Sequence, residues 1–358
     1  MSGPIAEFSL HKGTIAMYPF RKDIWRDNAK HMQEYMCNLV NIISRYEPVY
    51  LFCNPSHIGE LREKYFDNAN VFLIPAEYDD IWARDIGPTF IRDSGKIRCV
   101  DWRFNAWGGI KEGSYYPWDK DDAFASFVAN YFGLECSRAS IIVEGGGIIT
   151  DGEGTIFTTR SVLLNRNRNP FLKKSFVEDQ LCFETKAKRI IWLKQGLAQD
   201  ETNGHIDNVL SFASPTDICL AWTDDKTNPN YIRIREIEKT LQNLKNLRGG
   251  KYKIHHIPLP PLQFMTQIES NGLCKANSID RKAGDILPAS YLNFYMINGA
   301  VLIPSFGCET DEIVLNCFKN IFRNRDVIAV YSREPLLGGG GMHCLLHEIP
   351  FYSQENHT

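Results

Sequence analysis

Short apolar runs recur along this whole chain, and single helical stretches separate them. VYLFC (residues 49–53), NVFLIP (70–75), KIRCVDW (96–102), GTIFTT (154–159), RIIWL (189–193), KYKIHHI (251–257) and DVIAVYS (326–332) each have the length and the β-branched or aromatic content of a buried strand. NVLSFA with ICLAWT, and NFYMING with AVLIPSF, read as strand pairs. Between them lie helical patterns. Met32, Met36, Leu39, Val40 and Ile43 give residues 25–45 one apolar face, and DDAFASFVANYFG stops at Gly133. Further helices are predicted near residues 173–182, 231–247 and 311–322. No Ser/Pro-rich spacer or low-complexity segment interrupts the series. The pattern therefore predicts one α/β domain spanning residues 1–358. Periodicity alone leaves an open sheet, a barrel and a radial array of small sheets equally open.

Composition limits the partners. A net charge of −3 gives no reason to expect nucleic acid, and no apolar run is long enough to span a bilayer. The start, MSGPIAEFSLHKG, lacks the basic and apolar segments of a secretory signal. Ten cysteines are scattered without a CxxC pair, which predicts reduced thiols and a cytoplasmic location.

Five stretches carry residues suited to chemistry. GGGGMHC (338–344) offers Cys344 flanked by His343 and His347 behind four glycines, a tight or mobile loop by composition. DDIWARDIGP brings Trp82 and Asp85 together, an aromatic face and a carboxylate, the two things a delocalised cation binds. An Arg84–Asp ion pair with Trp82 in the core is the plain alternative. VEGGGI places Glu144 before three glycines, without the spacing of a dinucleotide loop. ETNGHIDN sets His205 and Asp207 two apart, on one face if the stretch is extended. DWRFNAWGG and YYPWDKDD supply aromatics for a site wall, a subunit contact or the core.

Two other chemistries fit less well. Zinc on Cys344, His343, His347 and His205 lacks a second cluster at structural-zinc spacing and mixes soft with hard ligands. A Cys–His protease leaves the carboxylates and the aromatic around the thiol unexplained, since a peptide bond carries no cation.

The motifs W-x-R-D-x-G-P (82–88), F-N-A-W-G-G (104–109), E-G-G (144–146), T-N-G-H-x-D-N (202–208), A-S-Y-x-N-F (289–294) and G-G-G-x-x-H-C (338–344) resemble those of agmatine deiminases and their relatives, the bacterial-type peptidylarginine deiminases. The resemblance runs from about residue 14 to residue 344. It implies the guanidine-modifying "pentein" fold, a five-fold pseudosymmetric α/β propeller of ββαβ units. It also implies Cys344 as nucleophile, His205 as general acid and base, and Glu144 as support for the histidine. Asp85 and Asp207 would bind the guanidinium, and Trp82 would line the substrate slot. The activity implied is hydrolysis of agmatine to N-carbamoylputrescine and ammonia, with no metal or organic cofactor, in a homo-oligomer (dimer or tetramer). The sequence departs from the family at Tyr18, where tryptophan is usual, and at LLHEIP after the nucleophile. Other guanidines remain alternatives: free arginine, peptidyl-arginine or another alkylguanidine. Arg103, Arg166 and Arg168 are candidate partners for an arginine carboxylate. A guanidine- or polyamine-binding protein without turnover is the rival of another class, but binding alone has no need of Cys344.

Overall fold

The computed structural model describes residues 2–274 and 276–352. Four times along the chain an antiparallel strand pair is followed by a helix and a third strand, parallel to the second. The first such module has strands Thr89–Asp93, Lys96–Arg103 and Cys136–Ile142 around helix Phe124–Phe132. The second has Ile148–Thr150, Thr155–Thr159 and Arg189–Leu193 with helix Lys174–Thr185. Leu210–Phe212, Asp217–Trp222 and Lys253–Pro258 with helix Tyr231–Gln242 form the third. Tyr295–Ile297, Ala300–Ser305 and Asp326–Tyr331 with helix Thr310–Ile321 form the fourth.

A fifth module is assembled from both ends of the chain. Strand Leu346–Pro350 pairs antiparallel with His11–Met17, which continues through helix Lys30–Ile43 to the parallel strand Val49–Cys53. Val71–Pro75 extends this sheet and Gly3–Pro4 adds an edge to the first module. The series thus closes on itself, which is the five-module α/β arrangement implied by the motifs.

In the first three modules the middle strand carries the most buried residues. Ile218, Cys219, Leu220 and Ala221 are all sealed from solvent, because the helix covers one face and neighbouring modules cover the other. Met32, Met36, Leu39, Val40 and Ile43 form the buried stripe of helix Lys30–Ile43, as their spacing predicts. Among the described residues, no helix is long and apolar enough to cross a membrane.

What this topology does for function lies in the connections between modules. The helical turns Ala83–Ile86, Gly145–Gly147, Ile206–Asn208 and His343–Leu345 sit on four different connections. The first touches both the second and the fourth, and the second touches the third. Turns remote in sequence are thereby brought to one place.

Candidate active site

Three of these turns carry a side chain that the sequence singles out, Asp85, Asp207 and Cys344, and Glu144 directly precedes the fourth. Cys344 lies in the turn His343–Leu345 and is only 5% exposed. Its Sγ is 3.5 Å from Asn293 Nδ2 and 3.8 Å from Asp207 Oδ2. The His205 imidazole sits between two acids, with Nδ1 3.7 Å from Asp85 Oδ2 and Nε2 3.4 Å from Glu144 Oε2. Glu144 is held from behind by Arg168, whose Nε donates to Oε1 at 2.6 Å. Asp85 accepts from the Gly146 amide (2.8 Å) and the Trp107 indole (2.9 Å).

Gly146 explains the triple glycine after Glu144. A Cβ there would come within 2.8 Å of Asp85 Oδ1, 2.8 Å of His205 Nδ1 and 2.9 Å of Asp207 Oδ2. Only a residue without a side chain lets these three groups converge.

The stretch around His205 and Asp207 is not extended, so the shared-face expectation for a strand does not apply. Residues Ile206–Asn208 form a tight helical turn, and His205 precedes it with extended backbone angles. The two side chains still converge, because the reversal of direction between them does the work that strand alternation would have done.

The glycine run is tightly packed. A side chain on Gly338 would overlap the Trp25 ring, one on Gly340 the Trp82 ring, and one on Gly341 the Asn293 amide. Only Gly339 among the four has positive φ, +95°. Close approach to aromatic faces, more than backbone freedom, accounts for this composition.

Trp82, Asp85 and Cys344 line a cleft of about 350 Å³, together with Trp107, Tyr115, Glu201 and Arg281. His205, Asp207 and Glu144 stand behind that lining, each at most 1% exposed. Asp80 anchors the aromatic wall by accepting from the Trp82 indole (2.6 Å) and the Trp25 indole (2.9 Å). All six residues named from the motifs are therefore in one neighbourhood.

Other expectations need correction. Arg84 forms no pair with the neighbouring aspartates. It turns the other way, to Glu7 (3.0 Å) and Glu348 (2.7 Å). Arg168 is fully buried against Glu144 and is not free to meet a substrate carboxylate, while Arg103 and Arg166 are exposed and absent from the cleft wall. The arginine at the cleft is Arg281, paired with Glu201 at 2.7 Å. His347 faces away from the thiol, stacked on Phe90 and donating Nε2–H to the Pro88 carbonyl. Asn293 lies in the A-S-Y-x-N-F motif, where a neutral amide gives no chemical signal. Its side chain touches Cys344, Asp207 and Asn208 and accepts from the His343 amide at 2.8 Å.

The electrostatics follow from burial among charges. Burial raises the Cys344 thiol well above its ordinary value; Asp207 and Asp85 raise it further, and contacts from Gly341 and Asn293 only partly oppose this. Burial disfavours charge on His205, but Asp85, Glu144 and Asp207 outweigh it and raise the imidazole to about 9. Burial, with Asp207 and Glu144 nearby, lifts Asp85 to about 6 despite His205. Glu144 is buried too, but Arg168 and His205 bring it down to about 2. The site therefore holds a protonated thiol, a charged imidazole and carboxylates of different proton affinity.

Known proteins resemble this chain in sequence and fold. A Mycoplasma capricolum protein named "Putative agmatine deiminase" is 39% identical over 345 residues, covering 96% of this chain and 94% of that one. The structure of the agmatine deiminase of Enterococcus faecalis superposes with a TM-score of 0.92 at 32% identity, over 98% of this chain and 96% of that one. A cysteine-to-serine variant of the C. jejuni agmatine deiminase with substrate bound gives 0.84 at 25% identity, again over 98% and 96%. The family model described as Porphyromonas-type peptidyl-arginine deiminase matches from residue 4 to residue 350, leaving almost nothing outside it, and the chain belongs to that family.

Proposed function

We propose that this protein hydrolyses agmatine to N-carbamoylputrescine and ammonia through a covalent bond to Cys344. The observation that carries the reading is the convergence of one thiol, one imidazole of raised proton affinity and two carboxylates on a cleft walled by indole rings.

A guanidinium is a resonance-stabilised cation and a poor electrophile. Asp85 and Asp207 would accept its N–H groups and fix the plane, while Trp82 would cover one face. The arriving cation offsets the two carboxylates that hold the thiol protonated, so the thiol gives its proton to solvent water as the substrate enters and the thiolate forms beside it. Sulfur then bonds to the central carbon, and the His205 imidazolium gives its proton to the departing nitrogen, which leaves as ammonia. The resulting thiouronium is hydrolysed in turn. Neutral His205 takes a proton from water, the oxygen attacks the same carbon, and the C–S bond breaks to return the thiol and a ureido product. Glu144, fixed by Arg168, would orient the imidazole and favour its charged form.

Agmatine is favoured over free arginine by the cleft rim. The more exposed partner of the Glu201–Arg281 pair is the carboxylate (31% against 4%), which suits a cationic tail better than a carboxylate tail. All ten cysteines are unpaired, in keeping with a reducing cytoplasm.

The test is parallel turnover of agmatine, arginine and a peptidyl-arginine, read as ureido product and ammonia, with Cys344→Ala as control. Agmatine should be the preferred substrate and the variant inert. Comparable rates on all three would remove the agmatine assignment, and residual turnover in the variant would remove the covalent route.

A further inference from the structure

His343, the residue before the thiol, is held between two acids. Its Nδ1 lies 2.9 Å from Asp207 Oδ2 and its Nε2 lies 2.7 Å from Glu7 Oε2. An ionised carboxylate only accepts, so two such contacts require a hydrogen on both ring nitrogens. The other oxygen of Asp207, Oδ1, is buried and has no hydrogen-bond partner among the described residues. Glu7 is itself fixed, accepting from the Met296 amide at 2.8 Å and from Arg84 at 3.0 Å. It lines a second cavity of about 690 Å³ that also reaches His343 but not Cys344.

We propose that His343 is a positioning residue: a charged strut between Asp207 and Glu7 that fixes Asp207 with Oδ1 left free for the substrate guanidinium. The proposal rests on the reading of Asp207 as a guanidinium acceptor. It makes the N-terminal segment, through Glu7, part of what shapes the substrate site.

Three features support a charged strut over simple space-filling. Buried Asp207 and half-buried Glu7 face each other across the ring, and an apolar residue of equal size would take from Asp207 its one short donor. Asn293 reaches Asp207 Oδ2 only at 3.4 Å, too long to fix the carboxylate alone. The groups facing His343 are Asp207, Glu7, Arg84, His347 and the Tyr295 ring; burial and Arg84 oppose its charge, yet the two acids bring it to about 9.

The experiment uses the full chain with His343→Gln and Glu7→Gln. Glutamine retains a donor for Asp207 but carries no charge. For His343→Gln, kcat/KM on agmatine should fall about tenfold or more, chiefly through KM. The acid limb of the pH profile should steepen and move to higher pH, because Asp207, having lost its cation, then titrates alongside Asp85. Glu7→Gln should move both in the same direction by less. Agmatine binding to Cys344→Ser should weaken when His343→Gln is added, which reads the effect without turnover. Nitrogen-15 NMR of the wild type should show both His343 ring nitrogens protonated at neutral pH. A neutral ring, or variants with unchanged KM and acid limb, would overturn the proposal. So would losses confined to kcat and equal at every pH. If His343→Gln does not fold, Glu7→Gln and the NMR spectrum decide. Failure of the wild type on every guanidine would instead sink the functional reading, and the NMR result is independent of it.

Discussion

Arg168 and Glu144 form an ion pair in which neither side chain reaches solvent, with Nε and Oε1 2.6 Å apart. Three more guanidinium hydrogens go to the Asn167 and Asn203 side chains and the Thr202 carbonyl, so every nitrogen of the arginine is held while it fixes the carboxylate that faces His205. Removing one partner strands the other. Arg168→Met is expected to cost about 3–5 kcal/mol in urea denaturation, far more than loss of an exposed pair. Its pH dependence has a definite sign. Glu144 stands at about 2 against an ordinary 4.5, so its contribution is present above the unfolded value and is lost as pH falls through the folded one. In the variant that loss should begin at higher pH. A denaturation midpoint equal to the wild type would show that the pair contributes nothing.

The thiol should be slow to react in the empty enzyme. Burial, Asp207 and Asp85 all disfavour a thiolate at Cys344. Alkylation by iodoacetamide is expected to be slow at neutral pH and to rise steeply on the alkaline side of 9.0, the ordinary thiol value. Asp207→Asn removes one of the opposing charges and should shift the rise to lower pH. A wild-type rate already on its plateau at neutral pH would mean a preformed thiolate–imidazolium pair.

Turnover should follow a bell. Asp85 must be ionised to bind a cation, which sets an acid limb at about 6, and His205 must be protonated to release ammonia, which sets an alkaline limb at about 9. Glu144→Gln removes one of the charges that raise His205, so the alkaline limb should move down towards 6.5, the ordinary imidazole value. An alkaline limb that stays in place would assign it to a group other than His205.

How far the sequence specifies the fold and the site differs from residue to residue. The apolar stripe of helix Lys30–Ile43 and the pairing of Leu210–Phe212 with Asp217–Trp222 are local, and periodicity specifies them. Closure of the ring is not local: Leu346–Pro350 pairs with His11–Met17 more than three hundred positions away, and nothing in either strand names its partner. At the site, Cys344, His205, Asp85, Asp207, Glu144 and Trp82 stood out because their motifs are dense in reactive groups. Arg168 reads from the sequence as a candidate partner for a substrate carboxylate, because its burial depends on where Glu144 lies in the fold. Asn293 had the weakest signal, a neutral amide whose importance comes only from three contacts across the fold.

Gly340 should tolerate no side chain. The Trp82 ring occupies the space a Cβ would need, so Gly340→Ala must displace either the indole or the loop that ends in Cys344. Overpacking of this kind costs about 1–3 kcal/mol. Agmatine turnover should fall with a raised KM, because Trp82 forms one wall of the cleft. Gly59, beside which nothing lies within 4 Å, is the control: Gly59→Ala should leave turnover unchanged. Equal activity in both variants would show that the loop has slack its packing does not suggest.

Asp80 offers a sharper test of the aromatic wall, because it touches the indoles without lining the cleft. Its two oxygens accept one hydrogen each, from Trp25 at 2.9 Å and Trp82 at 2.6 Å, and the Trp25 and Trp82 rings lie 5.4 Å apart beneath Gly338 and Gly340. Asp80→Asn replaces one acceptor by a donor, so an N–H would face an N–H and one indole must turn away. A buried donor left unpaired costs about 1–3 kcal/mol, which thermal denaturation can read directly. The kinetic consequence separates placement from stability. If the clamp sets the angle of Trp82 over the substrate, KM for agmatine should rise while the alkaline limb, which depends on His205, stays where it is. Asp80→Asn with normal KM but lowered stability would make the clamp a folding element alone.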